Sequence, residues 1–333
     1  MNTPSHFETA LLRSVSRSFY LSIRFLPAQL REPIALAYLL ARATDSVADT
    51  SGISGLVRIE TLRILSNGIQ GKASREVVID LIASFVPLQT NASERQLLES
   101  LPDCLAWLER MEQADRTEIR AVLEKITRGQ TLDLQRFDNP QEIRALGTAD
   151  DLDEYTYLVA GCVGEFWTRL CFRHVRNFSS LSEDEMLALG KLYGMALQLI
   201  NVLRDVGADL RAGRCYFPEF ELTAAHLTAS QILFEPERFQ PIYQAWIGKA
   251  KSGLECGVQY SRAIRNRRVR AATVLPALIG ARTLALVNQA KTDALQRTVK
   301  VPRSEVRRMI LRLALTVASR KQIESIWNRA TQE

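Results

Sequence analysis

Apolar residues recur at the spacing of one helix face along most of the chain, and few glycines or prolines interrupt them. This pattern predicts helices over the following stretches: Phe7–Phe25, Glu32–Thr50, Asn91 to Met111, Thr117–Phe137, Tyr155–Leu170, Ser182 to Leu210, Pro236–Ile264, Val269–Thr292 and Ser304–Ala330. The alternating runs and tight-turn dipeptides that are typical of β-hairpins are not found in the sequence. We therefore expect an all-α fold, organised as one domain over residues 1–333.

Two of these helices contain long apolar runs, Pro33–Ala41 and Leu192–Leu203. A helix that is apolar nearly all round belongs in the centre of a helical bundle. Charged residues that follow directly on such runs therefore require a structural or functional explanation.

The first charged group is Arg42, Asp45 and Asp49. On a helix, residues three and four apart are neighbours on the same face, so the three side chains lie close together. A single pair of this kind is usually no more than a solvated helix face.

The second group is a polar stripe on an otherwise apolar helix, formed by Gln198, Asn201, Asp205 and Asp209. Like charges one turn apart repel each other, more strongly when they are partly buried, and a cation relieves this repulsion. Carboxylate and amide oxygens without Cys or His favour Mg²⁺, which usually binds through a few carboxylates together with substrate phosphates. Two such acidic faces would suit two diphosphates bound through bridging Mg²⁺. The remaining positive charge would come from Arg17, Arg42, Arg204 and Arg214.

Charge and cysteine usage narrow the class of protein. The net charge of +6 suits an anionic partner, although nucleic acid would be repelled by the paired carboxylates. The five cysteines show no CxxC spacing and the three histidines are scattered, which disfavours a disulfide framework or a zinc site. Residues 1–13 lack the apolar core of a signal peptide, and the apolar runs fall short of about 20 residues, so we expect a cytoplasmic protein with peripheral membrane contact.

At these residues the chain resembles the squalene/phytoene synthase family of head-to-head prenyl synthases, from about Ser14 to Leu286. The order and approximate separation of four blocks carry the resemblance: Ser16 to Tyr20, Tyr38 to Asp49, Tyr155 to Gly164, and Asn201 to Pro218. It implies an isoprenoid synthase fold, with a helical bundle around a central cavity. Two farnesyl or geranylgeranyl diphosphates would bind there with Mg²⁺ and react through a cyclopropyl diphosphate to a 1′-1 linked product.

The resemblance also implies roles for individual residues. Asp45, Asp49, Asn201, Asp205 and Asp209 would bind Mg²⁺, and Tyr155 stands at the position of the family's catalytic tyrosine. The diphosphates and their immediate surroundings would be contacted by Ser16, Arg17, Ser18, Phe19, Tyr38, Arg42, Gln198, Arg204 and Arg214. Arg17 and Arg42 are also expected to contact NADPH. Gly161 and Gly164 would allow either close helix packing or room for a prenyl tail.

The sequence carries features of both the phytoene-type and the squalene-synthase branches of the family. Gly213 to Pro218 resembles phytoene-type enzymes, whereas Leu275 to Leu284 resembles squalene synthases. Ala48 stands inside the first motif where many members carry an additional acid, so the number of metal ions there stays open. We favour squalene synthesis with NADPH. Phytoene or dehydrosqualene synthesis without reduction is the alternative, and a non-catalytic assembly factor is a remote one.

Overall fold

The structure is a computed structural model that describes residues 23, 26–50, 52–137, 139, 142–316 and 319–332. The chain divides into two compact units. The first unit lies within residues 1–135 and 173–175, and the second within 136–172 and 176–333. We predicted a single domain over residues 1–333, and this stays a prediction. Apart from Ile23, the predicted helix Phe7–Phe25 lies outside the described residues.

The first unit is built from helices. They are α1 (Ala28–Asp49), α2 (Gly55–Ile69), α3 (Arg75–Phe85), α4 (Ala92–Glu99), α5 (Leu101–Arg110) and α6 (Gln113–Arg136), which ends in the second unit. The predicted helix from Asn91 to Met111 is two helices, because Pro102 begins a new first turn after Ser100. Asn91, where the predicted helix begins, caps α4 by accepting hydrogen bonds from the backbone N–H groups of Ser93 and Glu94.

The second unit contains most of the remaining elements. They are β1 (Arg144–Leu146), α7 (Ala149–Thr156), a π-helical turn (Tyr157–Gly161), α8 (Cys162–His174), α9 (Glu183–Arg211), β2 (Arg214–Pro218), α10 (Glu219–Ala224), α11 (Pro236–Ala263), α12 (Arg267–Ala290), α13 (Arg303–Leu315) and α14 (Arg320–Gln332). The predicted helix Ser304–Ala330 is thus two helices. The all-α prediction is confirmed, since about 80% of the residues that the structure describes are helical.

The short strands β1 and β2 were not predicted. They run parallel, with Arg144 opposite Arg214 and Ala145 opposite Cys215. Neither strand is long enough to show an alternating pattern, so the sequence offered no period-two signal for them. Arg214 is the first residue of β2 and follows directly on the turn after α9.

Glycines allow α9 to approach the helical segment that precedes it in the chain. A Cβ atom on Gly164 would lie 1.9 Å from the carbonyl oxygen of Gly190, and one on Gly194 would lie 2.3 Å from that of Ala160. Both distances are far inside van der Waals contact. Of the two roles considered for Gly164, the structure therefore shows close helix packing.

The core of the second unit forms where α11 and α12 pack on α9. Tyr243 is fully buried, and its hydroxyl donates a hydrogen bond of 2.6 Å to the carbonyl oxygen of Leu203. Tyr193 donates similarly to the carbonyl oxygen of Thr273 at 2.8 Å. Most of the apolar run Leu192–Leu203 is thus buried in the core, as expected, but Gln198 and Asn201 interrupt it on one face.

Two helical segments, Glu183–Arg211 and Arg267–Leu295, are long and apolar enough to cross a membrane by length and composition alone. The prediction that no stretch reaches this length is therefore wrong. Half of each apolar window is buried inside the protein, where it contributes to the core just described. Core helices meet the same criterion, so these segments are only weak evidence for membrane association.

Candidate active site

The first acidic motif lies on one face of α1, together with Tyr38 and Arg42. Asp45 and Asp49 are one turn apart near the end of the helix, as predicted. The opposite face, which includes Leu39, Leu40 and Val47, is fully buried. The polar face of α1 is therefore held in place by a packed apolar one.

Arg42 joins the motif to a second helix of the same unit. Its Nη1 donates to Asp45 Oδ2 at 2.5 Å, and its Nη2 donates to Glu94 Oε1 at 2.6 Å. Glu94 lies in the first turn of α4, where a carboxylate is also favoured by the helix dipole. Sequence reasoning did not single out Glu94, because its link to Arg42 spans 52 residues.

Negative charge accumulates at this motif. Partial burial and then the charge of Asp49 raise the pKa of Asp45 to about 6, against the opposing effect of Arg42. Burial lowers the pKa of Arg42, but the charges of Asp45 and Glu94 outweigh it and raise the value overall. Arg42 thus pairs with Asp45 and Glu94 while the charge of Asp49 acts on Asp45, and an added cation would relieve the remaining repulsion.

The second motif forms the predicted polar stripe along α9. The Nδ2 group of Asn201 donates to Gln198 Oε1 at 3.2 Å, and the Nε2 group of Gln198 donates to the hydroxyl oxygen of Tyr155 at 3.2 Å. A chain of hydrogen bonds therefore links the metal-binding candidates to the candidate catalytic tyrosine. The structure thus brings Tyr155, Gln198 and Asn201 together.

Each aspartate of the second motif is paired with an arginine. Arg204 holds both oxygens of Asp205, with Nε to Oδ1 at 3.1 Å and Nη2 to Oδ2 at 2.5 Å. Arg214 donates to Asp209 Oδ1 from Nε at 3.2 Å and from Nη2 at 2.8 Å. Burial raises the pKa of Asp209 against the opposing charge of Arg214.

The turn between α9 and β2 sets the position of Arg214. Gly213 adopts a φ of 82°, a left-handed conformation that glycine reaches without strain. The chain then enters β2, which hydrogen-bonds to β1. The strand pairing thereby fixes Arg214 beside Asp209.

Tyr155 is held on its other side by aromatic rings. It stacks on Tyr216 with ring centroids 4.9 Å apart and an angle of 24° between the planes. Tyr216 in turn meets Phe137 edge-on at 5.2 Å. Sequence reasoning did not assign Tyr216 or Phe137 to the site. A π-helical turn begins two residues after Tyr155, and such turns are frequent at functional sites.

The residues present fit a hard cation. In the part of the chain that the structure describes, no three His, Cys, Asp or Glu side chains come close enough to hold a metal by themselves. Mg²⁺ usually needs only one or two carboxylates together with substrate phosphates, and these motifs offer carboxylate and amide oxygens. Asp45, Asp49, Asn201, Asp205 and Asp209 therefore stay the predicted ligands. Ser16, Arg17, Ser18 and Phe19 lie outside the described residues.

Comparisons with known proteins agree on the family and the fold. A family model described as squalene/phytoene synthase matches residues 12–305. A bifunctional lycopene cyclase/phytoene synthase of Phaeosphaeria nodorum is 29% identical over 229 residues, 68% of this chain and 36% of that protein. The squalene synthase ERG9 of Saccharomyces cerevisiae is 28% identical over 230 residues, 69% of this chain and 49% of that protein. This chain thus spans less than half the length of these curated relatives.

Solved structures show the same fold. A complex of TcSQS with the ligand BPH1237 aligns with a TM-score of 0.74 at 21% identity, covering 98% of this chain and 97% of the other. A dehydrosqualene synthase in complex with a ligand aligns with a TM-score of 0.63 at 19% identity, covering 93% and 95%. At these identities the likeness concerns the fold alone.

Proposed function

This chain belongs to the squalene/phytoene synthase family, and we propose that it joins two farnesyl diphosphates head to head through a cyclopropyl (presqualene) diphosphate to squalene, with Mg²⁺ and NADPH. The observation that carries the proposal is the hydrogen-bonded series Asn201–Gln198–Tyr155, which continues the Asp205 and Asp209 stripe. This series supports the proposal because the amide of Asn201 and the phenol of Tyr155 both lie beside Gln198 of α9, where they would meet a diphosphate-bound cation.

The carboxylates and arginines would hold the charged ends of the substrates. Mg²⁺ ions, held by Asp45 and Asp49 in the first motif and by Asn201, Asp205 and Asp209 in the second, would neutralise diphosphate charge and make the diphosphate a better leaving group. The forked guanidinium groups of Arg42, Arg204 and Arg214 match phosphate oxygens in geometry as they match carboxylates. By the family resemblance, the residues that contact the diphosphates also include Ser16, Arg17, Ser18 and Tyr38.

Tyr155 would act at the bond that breaks. The hydrogen bond from Gln198 and the stack on Tyr216 orient its phenol, which would donate to the departing diphosphate. Its ring would also stabilise a nearby allylic cation through the π electrons.

The proposed reaction has two ionisations. In the first, a C–O bond breaks, diphosphate leaves with the electron pair, and the double bond of the second substrate attacks the allylic cation. Loss of a proton closes the cyclopropane. In the second, the cyclopropyl diphosphate would ionise and rearrange, and NADPH, when bound, would supply the hydride that the final cation takes up. Arg17 and Arg42 are the proposed NADPH contacts.

A second candidate is phytoene or dehydrosqualene synthesis, in which the final cation loses a proton and no reductant is needed. The relatives include phytoene synthases, and the block from Gly213 to Pro218 resembles that branch. Retention of both acidic motifs and Tyr155 argues against a non-catalytic assembly factor. We also propose a cytoplasmic enzyme that does not act on nucleic acid.

The test is an incubation with farnesyl diphosphate and Mg²⁺, with and without NADPH, and separation of products by gas chromatography–mass spectrometry. Squalene that forms only with NADPH supports the proposal. Dehydrosqualene formed regardless of NADPH would move the protein to the second candidate. If farnesyl diphosphate gives no product, geranylgeranyl diphosphate is tried next, and no turnover of either substrate would contradict both.

A further inference from the structure

The basic charge of the protein is concentrated in one short stretch. Of the 43 Lys and Arg residues, eight lie within residues 297–321, which contain a single acidic residue, Glu305. The rest of the chain has 35 basic and 36 acidic residues, so without this stretch the net charge falls from +6 to −1. The stretch contains α13 and begins just before the family model's match ends at residue 305.

Helix α13 combines this charge with exposed apolar side chains. Arg307, Leu311 and Leu315 follow one another at four-residue spacing, with Arg308 beside them, and we call these four residues the arginine–leucine face. Leu311 is 58% exposed and Leu315 is 74% exposed. The opposite face carries Met309 and Leu313, which are buried in the core of the second unit.

The helix is anchored to the protein on its inner side. Glu305 accepts hydrogen bonds from Arg282 of α12, with Nε to Oε2 at 2.7 Å. The acidic residue of the stretch thus points to the protein, while the arginine–leucine face points outward. Two large leucines held in water beside arginines are costly for a surface that has no partner.

We propose that the arginine–leucine face docks the protein onto an anionic lipid bilayer. Arginines would pair with lipid phosphates, and the leucines would enter the boundary between headgroups and acyl chains. Nucleic acid would satisfy the arginines but offers no apolar layer for Leu311 and Leu315. The proposal is independent of the proposed reaction, because vesicle binding is measured without substrate.

The test is sedimentation of the full chain with vesicles of phosphatidylcholine alone or with about one third phosphatidylglycerol. Binding is expected only to the anionic vesicles and is expected to weaken as salt is raised. The Arg307→Gln/Arg308→Gln variant should lower the partition coefficient by about thirtyfold, which corresponds to ~1 kcal/mol for each basic residue at the surface. Lys72→Gln/Arg110→Gln is the control, since it removes the same charge from exposed positions in the first unit.

The leucines distinguish a bilayer from other polyanions. Leu311→Gln/Leu315→Gln should lower vesicle binding at least tenfold. The control Leu56→Gln/Leu88→Gln replaces exposed leucines elsewhere and should leave binding unchanged. Circular dichroism and thermal unfolding verify that each variant folds. Equal binding to uncharged vesicles, or no effect of either α13 variant, would overturn the proposal. Retention on an RNA oligonucleotide that survives the leucine substitutions, without vesicle binding, would identify a nucleic-acid surface instead.

Discussion

The side-chain amide of Gln198 on α9 donates a hydrogen bond of 3.2 Å to the phenol oxygen of Tyr155 at the end of α7. Gln198 also accepts from Asn201, so it stands between the proposed metal-binding residues of α9 and the tyrosine. Gln198 would thereby position Tyr155, in addition to its proposed contact with the diphosphate.

Tyr155→Phe is expected to lower kcat by about a hundredfold, the lower range for loss of a proton donor, with little change in KM. Gln198→Leu should lower kcat through the same tyrosine. Because the two residues act together, the double variant should be no slower than Tyr155→Phe alone. Steady-state kinetics of all three variants check this, and fully additive losses would show that Gln198 acts separately from the phenol.

Asp205→Asn should abolish most turnover, because it removes a proposed charged ligand for the diphosphate-bound cation and leaves Arg204 without its carboxylate. The matched control is Asp184→Asn in the exposed first turn of the same helix, away from the stripe. Product formation is measured over a range of Mg²⁺ concentrations. Unchanged activity of Asp205→Asn at low Mg²⁺ would remove this residue from the ligand set.

Gly164→Ala should destabilise the protein by about 1–3 kcal/mol, because its new methyl group would overlap the backbone of Gly190. The control is Gly248→Ala in α11, where a Cβ atom meets nothing within 4 Å. That substitution should stabilise the helix by up to about 1 kcal/mol. Urea unfolding measures both free energies. A Gly164→Ala variant as stable as the wild type would show that α8 and α9 separate easily.

The start of α9 depends on a capping box. Ser182 accepts from the backbone N–H of Glu185, and Glu185 accepts from the backbone N–H and hydroxyl of Ser182. Ser182→Ala should cost about 1 kcal/mol of unfolding free energy. Ser252→Ala, at an exposed position within α11, is the control and should be nearly neutral.

These hydrogen bonds also make the capping box sensitive to pH. They lower the pKa of Glu185 below its usual range. Its stabilising contribution is therefore present at neutral pH and is lost as the pH falls through that lowered pKa. Thermal unfolding of wild type and Glu185→Gln from neutral to acidic pH tests this. A stability gap between them that widens on acidification would contradict the sign.

One of the five thiols should react quickly with a thiol reagent in the folded protein. Cys256 is partly exposed, whereas the other four are buried, and no disulfide is formed. Burial and the charge of Glu255 raise the pKa of Cys256 as well, so its expected reactivity rests on its access to the reagent. Burial raises the pKa of Cys171 and raises that of Cys215 to about 12, so these thiols carry little thiolate near neutral pH. Cys256→Ser should abolish the rapid phase seen with a chromogenic disulfide. Two or more rapid thiols in that variant would show that the core opens.

Much of the candidate site followed from local spacing. Asp205 and Asp209 share a helix face because they are four residues apart, whatever the rest of the chain does. The helix starts predicted at Asn91 and Ser182 are equally local, and in the structure these two residues cap their helices. The four blocks of the family resemblance depend likewise on residue order along the chain, and the family model confirmed the membership.

Only the tertiary structure decided which distant residues complete the site. Glu94 reaches Arg42 across 52 residues of chain. Tyr216 stacks on Tyr155 because the pairing of β1 with β2 brings it there, and three- to five-residue strands carry no readable period. Gly190 and Gly194 matter only because another backbone approaches them.

The sequence by itself therefore determined the helical class, the family and the residues of the two acidic motifs, because helix periodicity and motif order act over a few neighbouring positions. It did not determine the partners of those motifs. Arg42 with Glu94, and Tyr155 with Gln198 and Tyr216, meet through packing of elements that are far apart in the chain. Such contacts depend on how complete apolar faces fit together, which no local window of sequence contains.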